Sequence, residues 1–485
     1  MSALEQILPW PAKPIDRYRL ALWTAAEIAD ATGGTPSGPF QVAGVETDSR
    51  EVRPGDLFVA LKGESTDGHR FLDKAFANGA AAALVEHPIA APHVLVDDTT
   101  RALEALGAFA RERVAGTVIG VTGSVGKTGV KEAIFTALDR ASHGAAHRSV
   151  KSYNNHVGVP LSLSRMPGAS AFGVFEMGMN HAGEIAALTV QVRPHVAVIT
   201  TIAPAHIENL GSEEAIADAK AEIFGGLEPG GTAVIPVDSV HFARLREAAA
   251  RRGATILSFG KAAEADVRLL DAVPSANGGS LVTACLGERR LCYTVAEPGE
   301  HWIMNSLAVM GAVFAAGGDL GSAGLALAEM GGLKGRGARH RIFVPGGHAL
   351  LIDESYNANP ASMRATLAQL GHTPAARRIA VLGSMKELGD FAPSFHVQLA
   401  GPLAEAHVDF ALLVGPEMVA LARELGKGAH NTLGKALAFA HCEGPGEAIA
   451  ALEEFGLIGG DAVLVKGSNS VGLARVVAHF AAREG

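Results

Sequence analysis

The sequence predicts an α/β protein of three successive domains, with parallel sheets in the second and third. Three observations carry that prediction. The chain has 485 residues, and at about 150 residues per domain that is enough for three. From residue 117 onward, strand-like apolar runs alternate with segments of helical period, the pattern of a parallel sheet covered by helices. Glycine accounts for 58 residues while aromatics make up only 5%. That balance suits tight strand-to-helix turns and close packing better than a β-sandwich, because glycine ordinarily contributes only ~7%.

The first domain is expected over residues 1–113. Thr24-Ala25-Ala26-Glu27 has capping-box spacing and opens a short helix that stops at Gly33-Gly34. A strand-like stretch, Val45–Arg50, precedes the turn Arg53-Pro54-Gly55-Asp56 and the apolar run Leu57–Leu61. A second helix, His69–Asn78, leads into Ala80–Val85. The second domain is expected over residues 114–334. Its strand-like runs are Thr117–Val121, Phe172–Met177, His195–Ile202 and Thr232–Val237, with helical patterns at Lys127–Leu138 and Glu213–Leu227. The irregular stretch Ala262–Val295 reads as short strands. Trp302–Gly318 carries no charge, yet it falls short of the ~20 residues of a membrane span and contains Asn305 and Ser306, so it reads as a buried helix. A glycine-rich break at Gly331–Gly337 opens the third domain, residues 335–485. Its strand-like runs are His348–Asp353, Arg378–Leu382, Phe410–Val414 and Ala462–Val465, and its last helix is Val471–Arg483.

Charge and cysteine usage exclude several classes. A net charge of −9 argues against a generally basic nucleic-acid binder, which needs excess Lys and Arg against phosphates. It still allows a local positive pocket. Cys285, Cys292 and Cys442 are too few and too poorly spaced for a disulfide framework or a cysteine-rich zinc site, which fits a reducing cytosol. Met1–Pro14 has neither a basic start nor a long apolar core, so no secretory leader is expected. The expectation is a cytoplasmic protein with no membrane span.

The sharpest motif is Val118-Ile119-Gly120-Val121-Thr122-Gly123-Ser124-Val125-Gly126-Lys127-Thr128. A β-run enters a glycine-rich turn that enters a helix. Backbone N–H groups of such a turn face phosphate oxygens, the helix N-terminus adds a favourable dipole, Lys127 brings a mobile positive charge, and Thr128 can ligate Mg²⁺. The full loop template wants glycine where Val121 stands; the shorter form Gly123-x-x-Gly126-Lys127-Thr128 is complete. Glu176 ends a second apolar run, so its carboxylate emerges at the sheet edge where open α/β sheets bind ligands. There it can hold Mg²⁺ on nucleotide phosphates.

Other motifs are weaker alone. His206 follows a third strand, where a lone histidine reads as a hydrogen-bonded structural residue. Ser212 reads as an N-cap with acidic residues in the first turn. On the helix it opens, Lys220 shares the face of Ile216, Ile223, Phe224 and Leu227, and by spacing alone it reads as a lysine whose stem snorkels along apolar surface. Asp353-Glu354-Ser355-Tyr356-Asn357-Ala358-Asn359-Pro360 reads either as a turn with Pro360 at the first helical position or as a cradle for a purine and ribose. Arg336, between Gly335 and Gly337, reads as a hinge cation that reaches phosphate on closure.

Together these residues resemble the ATP-dependent Mur ligases of peptidoglycan synthesis. The resemblance spans nearly the whole chain. It rests on Thr47-Asp48-Ser49-Arg50 with Pro54-Gly55-Asp56-Leu57-Phe58, on Lys62-Gly63-Glu64 with Asp67-Gly68-His69, and on the phosphate loop. It also rests on Tyr153-Asn154-Asn155 with Gly158-Val159-Pro160-Leu161, and on Glu176-Met177-Gly178. Further on it includes Ala219-Lys220-Ala221-Glu222-Ile223, Asn305, Ser355–Pro360 and Leu382-Gly383-Ser384-Met385. The resemblance implies a small α/β N-terminal domain that binds UDP, a central P-loop parallel-sheet domain, and a C-terminal Rossmann-like domain that brings the incoming amino acid or dipeptide. Within the family the match is to members joining D-alanyl-D-alanine to UDP-N-acetylmuramoyl-tripeptide through an acyl phosphate.

Carried over by position, Ser49 and Arg50, with Asn154 and Asn155, resemble the UDP-sugar site. Gly123, Ser124, Val125, Gly126, Lys127, Thr128 and Gly129 resemble the ATP phosphate loop, and Asn305, Arg336, Tyr356 and Asn357 resemble residues near the base, ribose and phosphates. Thr128, Glu176, His206 and Lys220 resemble Mg²⁺ ligands, with Lys220 in the place of the family's carbamylated lysine. Lys127, Lys220 and His206 resemble the catalytic set. The implied cofactors are ATP and Mg²⁺, the partners are the two substrates, and the implied state is a monomer. Gly129 stands where the family commonly has Ser or Thr, Glu354 stands where a second Asp is frequent, and Met1–Arg17 is unmatched. The alternatives are a sibling ligase adding the third amino acid, a folylpolyglutamate-synthase-like ligase, and a P-loop kinase or non-catalytic nucleotide-binding module. The first carries an Asp-Asn-Pro-Arg motif, in whose place Asn357-Ala358-Asn359-Pro360 stands here; the second leaves Thr47–Arg50 unexplained.

Overall fold

A computed structural model describes residues 21–63, 66–275, 278–428, 434 and 437–483; the unmatched Met1–Arg17 lies outside them. The chain divides into two compact units. One holds the residues up to Gly116 together with His147–Ala171, and the other holds Thr117–Ala146 and everything from Phe172 onward.

In the first unit, the expected capping box is present: Thr24 Oγ1 accepts from the Glu27 N–H, and the Glu27 carboxylate accepts from the Thr24 N–H at 2.8 Å. The helix Ala25–Thr32 ends at Gly33, whose φ of +68° is the left-handed conformation glycine adopts without strain. A five-stranded sheet runs in the order Thr35–Pro36, His93–Leu95, Ala82–Val85, Asp56–Val59, Gly44–Glu46. Its last four strands are parallel. The expected helix His69–Asn78 is instead a 3₁₀ turn, Gly68–Phe71, capped by Asp67, followed by the α-helix Leu72–Ala77. Helix Thr99–Glu112 packs on helix Gly158–Ser164 at Gly107, where any Cβ would lie 2.9 Å from the Pro160 carbonyl oxygen.

In the second unit, one sheet carries the central strand Thr117–Thr122, flanked by Phe172–Glu176 on one side and Val196–Ile199 on the other, all parallel. The chain leaves the central strand for one neighbour and then crosses to the other, so the strand order reverses there, which is where open α/β sheets form their ligand crevice. Beyond Val196–Ile199 lie Thr232–Pro236 and Thr255–Gly260. The stretch read as short strands is a three-stranded antiparallel extension, Val267–Pro274, Ser280–Leu286 and Arg289–Val295. The uncharged segment forms helix Glu300–Ala315, with Asn305 through Val313 buried against this sheet. Among the described residues no helix is long and apolar enough to cross a membrane. The expected helix Glu213–Leu227 is α-helical over Glu213–Ala221 and 3₁₀ over Glu222–Gly226.

A second sheet follows in the order Ala338–Val344, Gly347–Glu354, Asp461–Lys466, Arg377–Gly383, Phe410–Val414, Ala438–Cys442. Only the first pairing is antiparallel. Asp461–Lys466 is buried along its whole length, as a strand covered on both faces must be. The last strand therefore inserts between two earlier ones, a second reversal of order.

The core of the first unit generates a stability prediction. Trp23 is fully buried, its indole N–H donates to the Ser164 carbonyl at 2.8 Å, and Arg113 stacks on its ring at 3.6 Å. Trp23→Ala is expected to destabilise this unit by about 3–5 kcal/mol, read as a lowered urea midpoint for the transition that reports it. An unchanged midpoint would contradict the packing described.

Candidate active site

Loops leaving the C-terminal ends of both sheets of the second unit surround one cavity of about 410 Å³. The first sheet contributes Ser124 and Lys127 after the central strand and Ala205-His206 after Val196–Ile199. The second contributes Tyr356–Asn359 after Gly347–Glu354, Lys386–Leu388 after Arg377–Gly383, and Ser468–Ser470 after Asp461–Lys466.

The phosphate loop has the predicted form. Gly123 (φ +147°) has no room for a side chain, since a Cβ would lie 2.0 Å from Thr200 Oγ1. Gly126 (φ +88°) starts helix Lys127–Ala141 and lies against Asn305, whose Oδ1 would be 2.8 Å from a Cβ. The loop is braced from the neighbouring strand end: the Ser124 N–H donates to the Thr201 carbonyl, and Ser124 Oγ donates to the Ala203 carbonyl, both at 2.8 Å. Lys127 Nζ donates to the Gly123 carbonyl at 2.8 Å, which keeps its charge over the loop. Burial holds the Lys127 ammonium below its usual range, opposed by Glu176 and reinforced by Arg336.

Thr128 Oγ1 donates to Glu176 Oε2 at 2.8 Å, and Glu176 is fully buried. A hydroxyl and a carboxylate at the foot of a phosphate loop are the hard oxygen donors Mg²⁺ takes, so the donor chemistry here fits that ion. Among the described residues no three His, Cys, Asp or Glu side chains gather as a ready-made metal site. The snorkelling expectation for Lys220 is overturned: it is only 2% exposed. Snorkelling needs water within reach of the ammonium, and here the helix face is covered to its tip. Burial drives the Lys220 pKa far below the ordinary lysine range, and neighbouring Lys127 pushes it the same way. His206, in the left-handed conformation (φ +60°), turns its Nδ1 toward Glu387 Oε2 at 2.5 Å. Gly129 also finds its reason. A Cβ there would stand 2.6 Å from Cη2 of Trp302, so the indole fills the space of the hydroxyl residue common in the family.

On the opposite wall, the Arg336 guanidinium stacks on the Tyr356 ring at 4.0 Å. Asn357 offers its carbonyl to Lys466 Nζ at 3.0 Å, and the same ammonium approaches Glu354 Oε2 at 3.4 Å. Sequence reasoning missed Lys466, although the strand-end rule that found Glu176 applies equally to a lysine closing an apolar run. Burial, with Lys466 nearby, pushes the His301 pKa down to about 4. A Cβ on Gly337 would lie 3.2 Å from Glu297 Oε2 and 3.7 Å from Glu354 Oε1, so two carboxylates flank one backbone point. Burial, only partly offset by Arg339 and reinforced by Glu354, raises the Glu297 pKa to about 7.

Ser49, Arg50, Asn154 and Asn155 lie in the first unit. Arg50 grips Asp48 with Nη2 at 2.6 Å, and Asn78 Nδ2 donates to the Ser49 carbonyl at 2.7 Å. Asn155 Oδ1 accepts from the Gly158 N–H at 2.8 Å and so begins helix Gly158–Ser164. Lys151 pairs with Glu51 Oε2 at 2.5 Å, which ties the segment carrying Asn154 and Asn155 to the turn carrying Ser49 and Arg50.

Three family models match the chain: "Mur ligase family, catalytic domain" at residues 41–114, "Mur ligase middle domain" at 121–313, and "Mur ligase, glutamate ligase domain" at 340–469. A UDP-N-acetylmuramoyl-tripeptide--D-alanyl-D-alanine ligase from Synechocystis is 36% identical over 92% of this chain and 93% of its own length. A crystal structure of MurF from Acinetobacter baumannii aligns with TM-score 0.80 at 32% identity, covering 95% of this chain and 99% of that one. The MurF ligase of Thermotoga maritima, solved in complex with ADP, aligns with TM-score 0.72 at 28% identity, covering 91% and 97%.

The paired carboxylates beside Gly337 set a pH dependence. Glu297 is 7% exposed and its pKa rises from 4.5 to about 7 on folding. A raised carboxyl pKa means the folded state holds the proton more tightly, so this contribution is full below pH 4.5 and is lost as pH climbs through about 7. Glu297→Gln is therefore expected to melt like the wild type near pH 5 and higher than it at pH 8. The difference is on the order of 2–3 kcal/mol, measured by thermal unfolding at both pH values. The same melting difference at both values would refute the assignment.

Proposed function

The chain belongs to the Mur ligase family, and from that membership we propose that it joins D-alanyl-D-alanine to UDP-N-acetylmuramoyl-tripeptide, converting ATP to ADP and phosphate. The observation that carries this reading is the cavity. A phosphate loop with Lys127 forms one wall, and loops from a second, Rossmann-like sheet form the other. A nucleotide-binding module alone has no need of the second wall. The relatives named for this reaction match along nearly the full chain.

The chemical problem is that a carboxylate does not usefully react with an amine in water. In the proposed route the tripeptide carboxylate attacks the γ-phosphorus of ATP, ADP leaves, and the dipeptide amine then attacks the acyl phosphate and expels phosphate. Anions converge at every step, so placed cations supply most of the stabilisation. Lys127 holds positive charge at the loop, and Arg336, fixed on Tyr356, adds a second cation whose field reaches Lys127. Productive turnover also needs water kept from the acyl phosphate, which it would otherwise hydrolyse. Asn305, against Gly126, together with Tyr356 and Asn357, is suited to border the nucleotide.

Thr128 and Glu176 are suited to hold Mg²⁺, which when bound would neutralise phosphate charge. As an ammonium, Lys220 would repel that ion. Its burial favours the neutral amine, the form that adds to CO₂ with loss of a proton to give an anionic carbamate. A carbamate on Lys220 would supply a further oxygen ligand, and His206, once released from Glu387, would supply a nitrogen ligand. The domains are proposed as residues 1–113 for the UDP-sugar, 114–334 for ATP, and 335–485 for the dipeptide; Ser49 and Arg50 share the UDP-sugar site with Asn154 and Asn155, whose segment His147–Ala171 belongs to the first unit. The chain is proposed to work as a monomer in the cytoplasm, and both cavity walls come from one chain.

Phosphate release from ATP and UDP-N-acetylmuramoyl-tripeptide is expected only when D-alanyl-D-alanine is added; release independent of the dipeptide, or none at all, rejects the ligase reading. Lys127→Ala is expected to lower dipeptide-dependent release by about 10²–10³-fold with its melting curve kept, and near-normal turnover would reject the phosphate-loop assignment. Lys220→Ala is expected to be inactive and partly restored by formate or acetate. Full activity without such a carboxylate would refute the carbamate.

A further inference from the structure

Two of the chain's three cysteines share a surface that the reaction scheme leaves unused. Cys285 lies in strand Ser280–Leu286 and Cys292 in strand Arg289–Val295, the last two strands of the antiparallel extension. Only Gly287-Glu288 joins them, with Gly287 at φ +57°. Their register is fixed from the inner side of the sheet, where Val282, Ala284, Leu286, Tyr293 and Val295 are buried in the core. A slip of one residue would turn that whole row to water. The alternate residues face outward, and both cysteines are among them. Cys285 is half-buried, Cys292 is exposed, and both are free thiols. The residues lining the cavity come from other strands and loops.

The register sets Cys292 opposite Thr283 and Cys285 opposite Arg290, so the two cysteines are diagonal neighbours. Cα atoms of diagonal neighbours stand ~7–8 Å apart, whereas a disulfide ordinarily takes ~4.4–6.8 Å. A direct sulfur–sulfur bond would have to move the backbone, which the buried row on the inner side resists. An atom between the sulfurs closes the gap. Two metal–sulfur bonds of ~2.3 Å, the length of a zinc thiolate, replace one sulfur–sulfur bond of ~2.05 Å. On the other side of Cys285, Arg268 stands opposite it across the neighbouring strand. Cys285 thus lies between two arginines, Arg268 and Arg290. Arg268 Nε is buried and has no hydrogen-bond partner. A buried donor left unmet costs free energy that an anion beside it would recover.

We propose that Cys285 and Cys292 form a two-sulfur site for a monovalent thiophilic d¹⁰ cation, the class to which Cu⁺ belongs. Soft thiolate ligands select such ions. On binding, each thiol gives its proton to solvent and each sulfur bonds the cation, with no electron transferred. The product has two thiolates on one monovalent cation and carries a net charge of one minus. Arg268 and Arg290 offset that charge. Among the described residues no three His, Cys, Asp or Glu side chains gather as a metal site, so the donor set is two sulfurs and not the four ligands of structural zinc.

The test titrates the reduced full-length protein with Cu⁺ in oxygen-free buffer, in competition with a coloured Cu⁺ chelator. Wild type and Cys442→Ser are expected to bind one equivalent with the same affinity. Cys285→Ser and Cys292→Ser are each expected to bind about 10²–10⁴-fold more weakly, the gain from holding two ligands on one scaffold, with melting curves unchanged. Arg268→Gln is expected to keep the single equivalent and bind about 10-fold more weakly, the range of one hydrogen bond to a charged group. Equal affinity in wild type and in either single-cysteine variant overturns the site, as does a wild type that takes no Cu⁺ from the chelator. A disulfide mapped between Cys285 and Cys292 after exposure to oxidised glutathione overturns the diagonal spacing, and the bridged site with it.

Discussion

Burial of positive charge beside other positive charge is the constraint on which the second unit depends. Lys220 is enclosed near Lys127, Lys127 feels Arg336, and Lys466 feels Arg336 as well. Burial holds the Lys127 and Lys466 ammonium groups below their usual pKa, so each is set to gain when an anion arrives, whereas the more deeply affected Lys220 favours the neutral amine. Lys466 approaches the Glu354 carboxylate, and Lys127 feels that of Glu176. A protein with a net charge of −9 thereby gathers cations where polyanions are proposed to bind. The fold makes this possible through its two reversals of strand order, which open both sheets at their C-terminal ends.

Much of this was legible in the sequence because the features concerned are local. A phosphate loop must be glycine-rich and followed by Lys-Thr, and a capping box is set by spacing, so Gly123–Thr128 and Thr24–Glu27 could be read directly. Strand-end logic placed Glu176 correctly. The reading of Lys220 from spacing failed because periodicity says which face of a helix a residue shares but not whether that face is covered to its rim. The return of His147–Ala171 to the first unit was likewise hidden, since a short helix carries no label for the unit it packs on. Glu297 owes its raised pKa to neighbours far along the chain, and no window of sequence contains those neighbours.

The two walls of the cavity follow different physical logic. The phosphate-loop wall is rigid and built on glycines that admit no side chain, as at Gly123 against Thr200 and Gly126 against Asn305. The facing wall is polar and braced through side chains, with His396 under Met385, Ser468 under Lys386 and Lys466 under Asn357. A rigid loop suits phosphates, whose geometry never varies. A braced polar wall suits a peptide, which is proposed to bind there.

The contact between Gly129 and Trp302 has an optical consequence. The chain has three tryptophans: Trp10, Trp23 and Trp302. Trp23 is sealed in the first unit's core, whereas Trp302 lies against the first turn of the helix that begins at the phosphate loop. The molecule therefore carries its own fluorophore within van der Waals reach of the helix proposed to border the nucleotide. With Trp10 and Trp23 replaced by phenylalanine, indole emission would monitor that helix alone, with no label attached.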